Sequence, residues 1–310
     1  MTTTRRASVA RRGEKVKRPL MRYHGGKWVL APWIISYFPT HRVYVEPYGG
    51  AASVLLRKPR CYGEVYNDLD DEVWNVFRVL QNPETKEVLK AKLESTPFAR
   101  REFEQAYQPT EDPIERARRT IIRSFMGFSS NATHKASGFR ADSNHSGTIP
   151  AHDWANLTTG FRANNWGDGK SGGHVPACTQ LARFPSHIEA FHERLCGVVL
   201  ENRPALDVIR QHDSEQTLFY VDPPYPKDTR TDAGDDYAIE LTDENHRELA
   251  AALQAVKGMV ILSGYNCPLY DELYAGWVRI DHASHADGAR KRTESLWINA
   301  ACKPPQGRLL

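Results

Sequence analysis

The clearest candidates for chemistry are Asp222, Pro223, Pro224 and Tyr225, which directly follow an apolar run at residues 218–221. A carboxylate and the carbonyl of Pro223 can both accept hydrogen bonds from the exocyclic amine of a nucleic-acid base, which frees the nitrogen lone pair. The prolines stiffen the backbone and donate no N–H. Tyr225 offers a ring on which an extruded base can stack. The tetrapeptide therefore indicates attack by a base amine on a methyl donor.

A second group of residues has the character of a nucleoside-binding loop. The segment Glu46, Pro47, Tyr48, Gly49, Gly50, Ala51, Ala52, Ser53 follows the run 43–46, and Asp68 follows the next apolar run. Glycines let a ligand approach the backbone, and an acid at the end of the second strand is placed to hold ribose hydroxyls. The loop lacks both the G-x-G-x-x-G and the G-x-x-x-x-G-K-[ST] patterns. These features favour an adenosine-type cofactor without a bound pyrophosphate.

Alternating strands and helices must position these residues. Short apolar runs predict strands at 43–46, 64–67, 198–200, 218–221, 259–262, 277–280 and 295–298. Amphipathic helices are predicted at 72–80 and from Thr242 to just before Gly258. Strands that alternate with helices imply an α/β domain with a largely parallel sheet, whose strand ends carry the ligand site.

The segment between the two α/β halves differs in character. Residues 97–128 look helical and basic, and residues 129–180 are rich in Ser, Asn, Gly, His and Thr. We predict a catalytic domain at 20–96 and 196–302, with a target-recognition domain inserted at 97–195. Residues 1–19 are predicted to form a basic disordered arm and 303–310 a tail. A basic helix next to polar loops favours contact with nucleic-acid phosphates over an inert insertion. The candidate DNA-binding residues are Arg116, Arg119, Arg123, Lys135 and Arg140.

Charge and cysteine content narrow the class of protein. The formal net charge is +3, yet residues 1–18 hold seven basic residues and one acid, so the rest of the chain is slightly acidic. Any nucleic-acid surface on the folded body must therefore be local. The basic arm itself is open to two interpretations, a phosphate-tracking arm or a solvated leader. The five cysteines form no C-x-x-C pair, which suits a reducing cytoplasm and predicts no metal site.

The order of these motifs resembles that of the α-group DNA adenine-N6 methyltransferases, particularly their phage and prophage members. The resemblance rests on Tyr23-His24-Gly25-Gly26-Lys27, Glu46-Pro47-Tyr48-Gly49-Gly50, Asn67-Asp68 and Asp222-Pro223-Pro224-Tyr225. It extends to Leu262-Ser263-Gly264-Tyr265, Leu269-Tyr270 and Glu294-Ser295-Leu296-Trp297-Ile298-Asn299, and covers roughly residues 20–125 and 190–300.

The resemblance implies a Rossmann-like methyltransferase sheet with an inserted, mostly helical and loop-rich DNA-recognition domain. It implies S-adenosylmethionine as methyl donor, S-adenosylhomocysteine as product, no metal, and double-stranded DNA as substrate. Asp222 and Tyr225 would hold a flipped adenine. Cofactor contacts are expected at Tyr23, Lys27, Glu46, Pro47, Tyr48, Gly49, Gly50, Ser53, Asp68 and Asn202.

Two residues depart from the family pattern. Ala52 stands where a glycine is common, and we expect it only to tighten the turn. Pro204 stands where the family often has an acid near the adenine of the cofactor, so this contact is in question.

Several alternatives remain at the level of sequence. Cytosine-C5 methyltransferases need a Pro-Cys dipeptide, which the chain lacks, so this class is excluded. A cytosine-N4 methyltransferase uses the same amine chemistry and is the nearest rival, although its tetrapeptide more often begins with Ser. A catalytically inactive DNA-binding relative is the rival from another class. We expect a cytoplasmic protein, in a bacterium or in the host of a phage. Its recognition sequence, any restriction partner, and the choice between monomer and homodimer stay open.

Overall fold

The computed structural model describes residues 15–128, 132–140, 177–229, 238–285 and 291–302. These residues form a seven-stranded sheet in the order β3-β2-β1-β4-β5-β7-β6. The strands are β1 (Val43–Glu46), β2 (Gly63–Asn67), β3 (Val198–Glu201), β4 (Thr217–Val221), β5 (Met259–Tyr265), β6 (Val278–His285) and β7 (Lys291–Ile298). Strands β1 to β5 are parallel, and β7 lies antiparallel between β5 and β6. The predicted Rossmann-like α/β fold class is confirmed.

Helices cover both faces of the sheet. In chain order they are α1 (Ala31–Ile35), α2 (Ser53–Arg57), α3 (Asp71–Gln81), α4 (Pro83–Glu94), α5 (Arg100–Gln105), α6 (Pro113–Met126), α7 (Ala177–Arg183), α8 (Ile188–Leu195), α9 (Ala205–His212), α10 (Asp243–Ala255) and α11 (Pro268–Leu273). Successive residues of a strand point to opposite faces. In β4, Leu218 and Tyr220 therefore join the core under α1 to α8, whereas Phe219 and Val221 join the core under α9, α10 and α11.

The described helices of the predicted recognition domain share the core of the catalytic domain. Helix α6 packs against α3 and α4, and α8 packs against α3. Ile121 and Phe125 of α6 belong to the same hydrophobic cluster as Val76 and Leu80 of α3. The predicted boundary at residue 97 thus runs through one continuous layer, because the apolar stripe of α6 has no other core to cover in the described part of the chain. The role of 97–195 in DNA recognition stays a prediction.

The start of the described chain differs from the predicted disordered arm. Residues 1–14 lie outside the described residues, but 15–19 belong to the folded body. Arg18 donates to the carbonyl of Gln180 at 2.9 Å, and its guanidinium lies over the rings of Phe125 and Phe184. Burial lowers the pKa of Arg18 to about 10. Cation–π contacts explain why this basic residue packs instead of remaining in solvent.

Local signals place the helix starts that surround the site. Thr242 caps α10 and forms a capping box with Asn245, and the Asp70 side chain caps α3 through the amides of Glu72 and Val73. These side chains satisfy free amides in the first turn of each helix. In the part of the chain that the structure describes, no helix is both long and apolar enough to cross a bilayer.

Candidate active site

One cavity of about 300 Å³ opens at the carboxyl ends of β1, β2 and β4. The starts of α9 and α10 complete its wall, together with residues 238–241. Most of the predicted cofactor residues line it, namely Tyr23, Lys27, Glu46, Pro47, Tyr48, Gly49, Gly50, Ser53 and Asp68. Asp222 and Pro224 line the same cavity, so the structure brings the tetrapeptide and the glycine loop together.

The glycine loop has no room for side chains at two positions. A Cβ on Gly49 would lie 2.1 Å from the ring of Tyr66. Gly50 has a φ of 48°, and a Cβ there would lie 2.8 Å from the ring of Tyr23. The Tyr66 hydroxyl donates to the Gly50 carbonyl at 2.8 Å. Tyr66 and Tyr23 therefore pack directly against the loop backbone at the cavity wall, and this close packing requires glycine at both positions.

Ala52 has a more specific place than the sequence predicted. Its φ of 51° puts it in the left-handed region, and it is the residue that precedes α2. A residue with a Cβ pays roughly 1–2 kcal/mol for this conformation. The expectation that alanine only tightens the turn was incomplete, because this position carries backbone strain.

The buried carboxylate of Glu46 has hydrogen-bond donors at only one of its two oxygens among the described residues. Its Oε1 accepts from the Tyr44 hydroxyl at 2.7 Å and from the amide of Leu55 at 3.0 Å. Its Oε2 is buried without a hydrogen-bond partner among the described residues. Burial raises the pKa of Glu46 to about 8, and the nearby charge of Asp222 adds to the rise. A cationic donor such as an ammonium group would satisfy the second oxygen.

Asp68 is held by the backbone at the end of β2. Its two oxygens accept from the amides of Gly50 and Asp70, at 2.7 and 2.8 Å. Burial raises its pKa to about 6 despite these bonds. Asn202 does not line the cavity; its side chain donates to the Asp68 carbonyl at 2.7 Å. The predicted cofactor role of Asn202 is therefore indirect in this structure, since it fixes the acid instead of facing the cavity.

Pro204 begins the wall contributed by α9. It lines the cavity with Ala205 and Leu206, and Leu69 and Ile239 also line it. An apolar surface therefore occupies the position where the resemblance implies an acid. Such a surface suits the flat face of a purine, which binds mostly through its area.

Asp222 lies among three polar side chains. Its Oδ1 accepts from the Ser263 hydroxyl at 2.7 Å, and its Oδ2 lies 3.0 Å from the Lys27 ammonium. Lys27 also donates to the Gly25 carbonyl and lies 4.8 Å from the centre of the Tyr225 ring. Lys27, expected at the cofactor, is thus an ion-pair partner of the tetrapeptide, and it covers a face of the Tyr225 ring.

The other two members of the tetrapeptide do not line the cavity. Pro223 and Tyr225 are buried, and Tyr225 is only 4% exposed. The Tyr225 hydroxyl lies 3.2 Å from Asp222 Oδ1 and 3.0 Å from Glu294 Oε2. Stacking of a base on this ring requires Lys27 to move, because the ammonium occupies the space above the ring.

Sequence reasoning missed three residues beside the site. Ser263 and Glu294 lie in segments that carry the resemblance but were not assigned roles. The third is His134, whose ring edge packs on Tyr23, with its Nδ1 3.0 Å from Asp70 Oδ2. Ser263 could have been found as a polar residue inside the largely apolar strand β5. Glu294 carries no such signal, because it stands among the polar residues 291–295 of β7. No local signal marks His134, which comes close only through the fold.

The cavity is strongly acidic. Among the residues that the structure describes, six acids line it, at Glu46, Asp68, Asp70, Asp222, Glu240 and Glu248, against the one ammonium of Lys27. Such a site repels phosphates and attracts cations. A nucleoside that carries positive charge fits this wall, whereas a nucleotide does not.

The structure gives most of the predicted DNA-binding residues internal partners. Arg116 and Arg123 pair with Glu72 at 2.8 and 3.2 Å, and Arg119 pairs with Glu115 at 3.0 Å.

Arg140 differs more from the prediction. Its side chain is 3% exposed and donates to the carbonyls of Gly127 and Phe128. A guanidinium buried on carbonyls is not presented to a phosphate in this structure, and the DNA-binding role of Arg140 stays a prediction. Lys135 is exposed.

The sheet order, the glycine loop and the tetrapeptide at the end of β4 define a Rossmann-like α/β methyltransferase. Residues 23–139 match the family model described as D12 class N6 adenine-specific DNA methyltransferase. The match confirms, for this part of the chain, the resemblance to the adenine-N6 methyltransferase family that the motifs indicate. It includes Glu46 and Asp68 but ends before Asp222. No curated protein matches the chain.

Proposed function

We propose that the protein transfers a methyl group from S-adenosylmethionine to N6 of an adenine extruded from double-stranded DNA. One observation carries the proposal: Asp222 and the glycine loop line the same acidic cavity. The family match supports adenine methylation of DNA. That S-adenosylmethionine is the methyl donor, and that the base is extruded, are further parts of the proposal.

The cavity residues fit this cofactor. The unsatisfied Glu46 Oε2 would accept from the ammonium of its methionine end, and Asp68 would hold its ribose. Gly49 and Gly50 line the cavity, and their lack of side chains makes room for the rings of Tyr66 and Tyr23 behind the loop. The excess of carboxylates favours a ligand with two positive groups over its neutral analogues. When bound, the cofactor supplies an electrophilic methyl group on a sulfonium.

The protein's own part is to position and polarise the amine. Asp222 accepts a hydrogen bond from the N6 amine, which draws the lone pair out of conjugation with the ring. Ser263 fixes the plane of the carboxylate by donating to Oδ1. Lys27 lies 3.0 Å from Oδ2, so the amine must displace this lysine when the base enters. As positive charge develops on nitrogen, the carboxylate stabilises it in a site that largely excludes water.

Extrusion of the base is expected from the place of Asp222 in a concave site. Its side chain is 17% exposed and lies in the wall of the cavity, whereas the amine of a paired base lies within the stacked helix. Enzymes that act on such atoms take the base out of the helix. Most DNA affinity comes from phosphate contacts made elsewhere, so binding and chemistry are separable.

The test is single-turnover transfer of a labelled methyl group to DNA, with the modified base identified after digestion. Asp222→Ala should reduce the rate about 100- to 1,000-fold while DNA affinity stays within a few-fold. Asp271→Ala, at an exposed surface ion pair, is the matched control and should behave as wild type. Near-normal transfer by Asp222→Ala would refute the catalytic assignment. A product of N4-methylcytosine would keep the chemistry and change the substrate, and no transfer by the wild type would favour the inactive DNA-binding relative.

A further inference from the structure

Glu294 is a buried acid on β7 that the proposed reaction does not use. It is 7% exposed, and it lies opposite Tyr265 in the antiparallel pairing of β5 with β7. Burial raises its pKa. A buried carboxylate costs free energy, and an apolar side chain of similar size is often as stable or more stable at such a position. Packing alone therefore does not account for an acid here.

The carboxylate of Glu294 contacts Tyr225 of the tetrapeptide, although Glu294 does not line the cavity. Its Oε2 lies 3.0 Å from the Tyr225 hydroxyl, which in turn lies 3.2 Å from Asp222 Oδ1. The Tyr225 ring also packs on the ring of Tyr265, with centroids 4.7 Å apart and planes at 73°. Glu294 holds the hydroxyl end of the ring, and Tyr265 supports the ring itself.

This arrangement couples the ring to the carboxylate that receives the amine. The Tyr225 hydroxyl lies within hydrogen-bond distance of both Glu294 and Asp222, and its one proton can be donated to only one of them at a time. Ser263 donates to the same Asp222 oxygen at 2.7 Å. If Glu294 were removed, the hydroxyl would lose one of its two anchors. The Tyr225 ring would then be free to shift, and the contact between its hydroxyl and Asp222 would weaken. An error of about 1 Å in such a geometry can cost 100-fold in rate.

We propose that Glu294 is a positioning residue for methyl transfer, which anchors the Tyr225 hydroxyl and thereby fixes both the ring and the Asp222 carboxylate against the target amine. The inference rests on the proposed function, because it assigns to Glu294 a part in that reaction.

The experiment is a double-mutant cycle between Glu294→Leu and Tyr225→Phe, read by single-turnover methyl transfer. Leucine removes the acceptor without opening a large cavity, and phenylalanine removes only the hydroxyl. Both changes delete the hydrogen bond between Tyr225 and Glu294, so each should slow transfer about tenfold or more. The double variant should be no slower than Tyr225→Phe, which also loses the contact with Asp222. Glu294→Gln keeps an acceptor and should retain most of the rate.

Two further readouts separate positioning from a structural role. Glu294→Leu should lower the melting temperature by no more than Tyr225→Phe does, since each removes one partner of the same hydrogen bond. Its affinity for S-adenosylhomocysteine, measured by calorimetry, should stay within about twofold of wild type, since Glu294 does not line the cavity. Glu272→Ala, at an exposed acid paired with Arg247, is the control for loss of a carboxylate.

Opposite results would overturn the inference. Rate losses that multiply in the double variant would show that Glu294 and Tyr225 act independently. Glu294→Gln as slow as Glu294→Leu, or losses that track a fall in melting temperature, would assign Glu294 to the structure alone. Wild-type protein that transfers no methyl group would instead refute the proposed function, so the two failures are distinguishable.

Discussion

At the scale of single residues, two carboxylates in one cavity have different surroundings. Asp222 faces the ammonium of Lys27 and the hydroxyl of Ser263. Glu46 has neutral donors at one oxygen and none at the other among the described residues. Its raised pKa, about 8, records the cost of ionising a buried acid without a cation. Asp222 thus has a cationic partner in the cavity, whereas Glu46 has no hydrogen-bond partner at Oε2 among the described residues.

A cation that binds Glu46 must displace its proton at low pH. We therefore expect affinity for S-adenosylhomocysteine, whose amino group is cationic, to weaken as the pH falls from 8 toward 6.5. Glu46→Gln should bind more weakly at pH 8, by about tenfold or more, and should lose this part of the pH dependence. Calorimetry across this range checks both points. The same pH slope in wild type and Glu46→Gln would remove Glu46 from the ammonium site.

The same residue makes a prediction about stability. Its pKa is raised from 4.5 in the unfolded reference to about 8 in the fold. The stabilising contribution of its protonated form is complete below pH 4.5 and is lost as the pH rises through 8. Glu46→Gln should therefore raise the melting temperature of the ligand-free protein at pH 8.5 and have little effect near pH 4.5. A shift of equal size at both values would contradict the cause given for the pKa.

At the scale of elements, α6 combines a buried stripe with arginines that are held by acids. Glu72 of α3 receives Arg116 and Arg123, and Glu115 of α6 receives Arg119 and Arg118. Hydrogen bonds and the charges of these arginines and of Lys92 hold the pKa of Glu115 near 2, against the opposing effect of burial. The basic character of α6 is therefore largely neutralised within the fold, although its sequence suggested a free basic face.

This placement changes what mutation of α6 should do. The sequence alone predicts that Arg119→Ala with Arg123→Ala flattens the salt dependence of DNA binding, by about one slope unit for each phosphate that is no longer bound. With both arginines in ion pairs, we expect a lower melting temperature and a smaller change in slope. Lys135→Ala, at an exposed residue, should change the slope by about one unit. DNA titrations at several salt concentrations, with both variants, decide whether the α6 arginines or Lys135 contact phosphate. A slope change of about two units in the double arginine variant would restore α6 as a phosphate-binding surface.

At the scale of the whole molecule, the cavity joins distant parts of the chain. Its wall uses the ends of β1 and β2, the end of β4, and the starts of α9 and α10. Asn67 and Asn202 tie these strand ends together, through the carbonyls of Pro47 and Asp68. A ligand in the cavity therefore contacts both predicted parts of the catalytic domain, 20–96 and 196–302, and stabilises the fold only when both are in place.

Binding of a ligand in the cavity should therefore increase the free energy of unfolding. S-adenosylhomocysteine at 100 times its dissociation constant should add about 2.7 kcal/mol to the free energy of unfolding and raise the melting temperature. Asp68→Ala should shrink this shift, because each missing hydrogen bond to a charged group costs roughly 1.5–3 kcal/mol. Thermal melting with and without ligand provides the measurement, and Asp271→Ala the control. An undiminished shift in Asp68→Ala would remove Asp68 from the cofactor site.

The sequence by itself determined the fold class and most of the cavity. Strand and helix periods, the helix start at Thr242 and the glycines at 49 and 50 act over a few neighbouring residues, so they can be read along the chain. Because the carboxyl ends of parallel strands meet at one edge, the loop after β1 and the tetrapeptide after β4 had to lie together.

Only the tertiary structure decided which charges meet. The pairs Lys27–Asp222, Arg123–Glu72 and Tyr225–Glu294 join residues that are far apart in the chain and on different elements. No local pattern encodes such a pairing, because a charged side chain has the same local preference whether it faces solvent, DNA or a partner across the core. Packing of α6 on α3 and of β7 on β5 made that choice, and with it the surroundings of the catalytic acid.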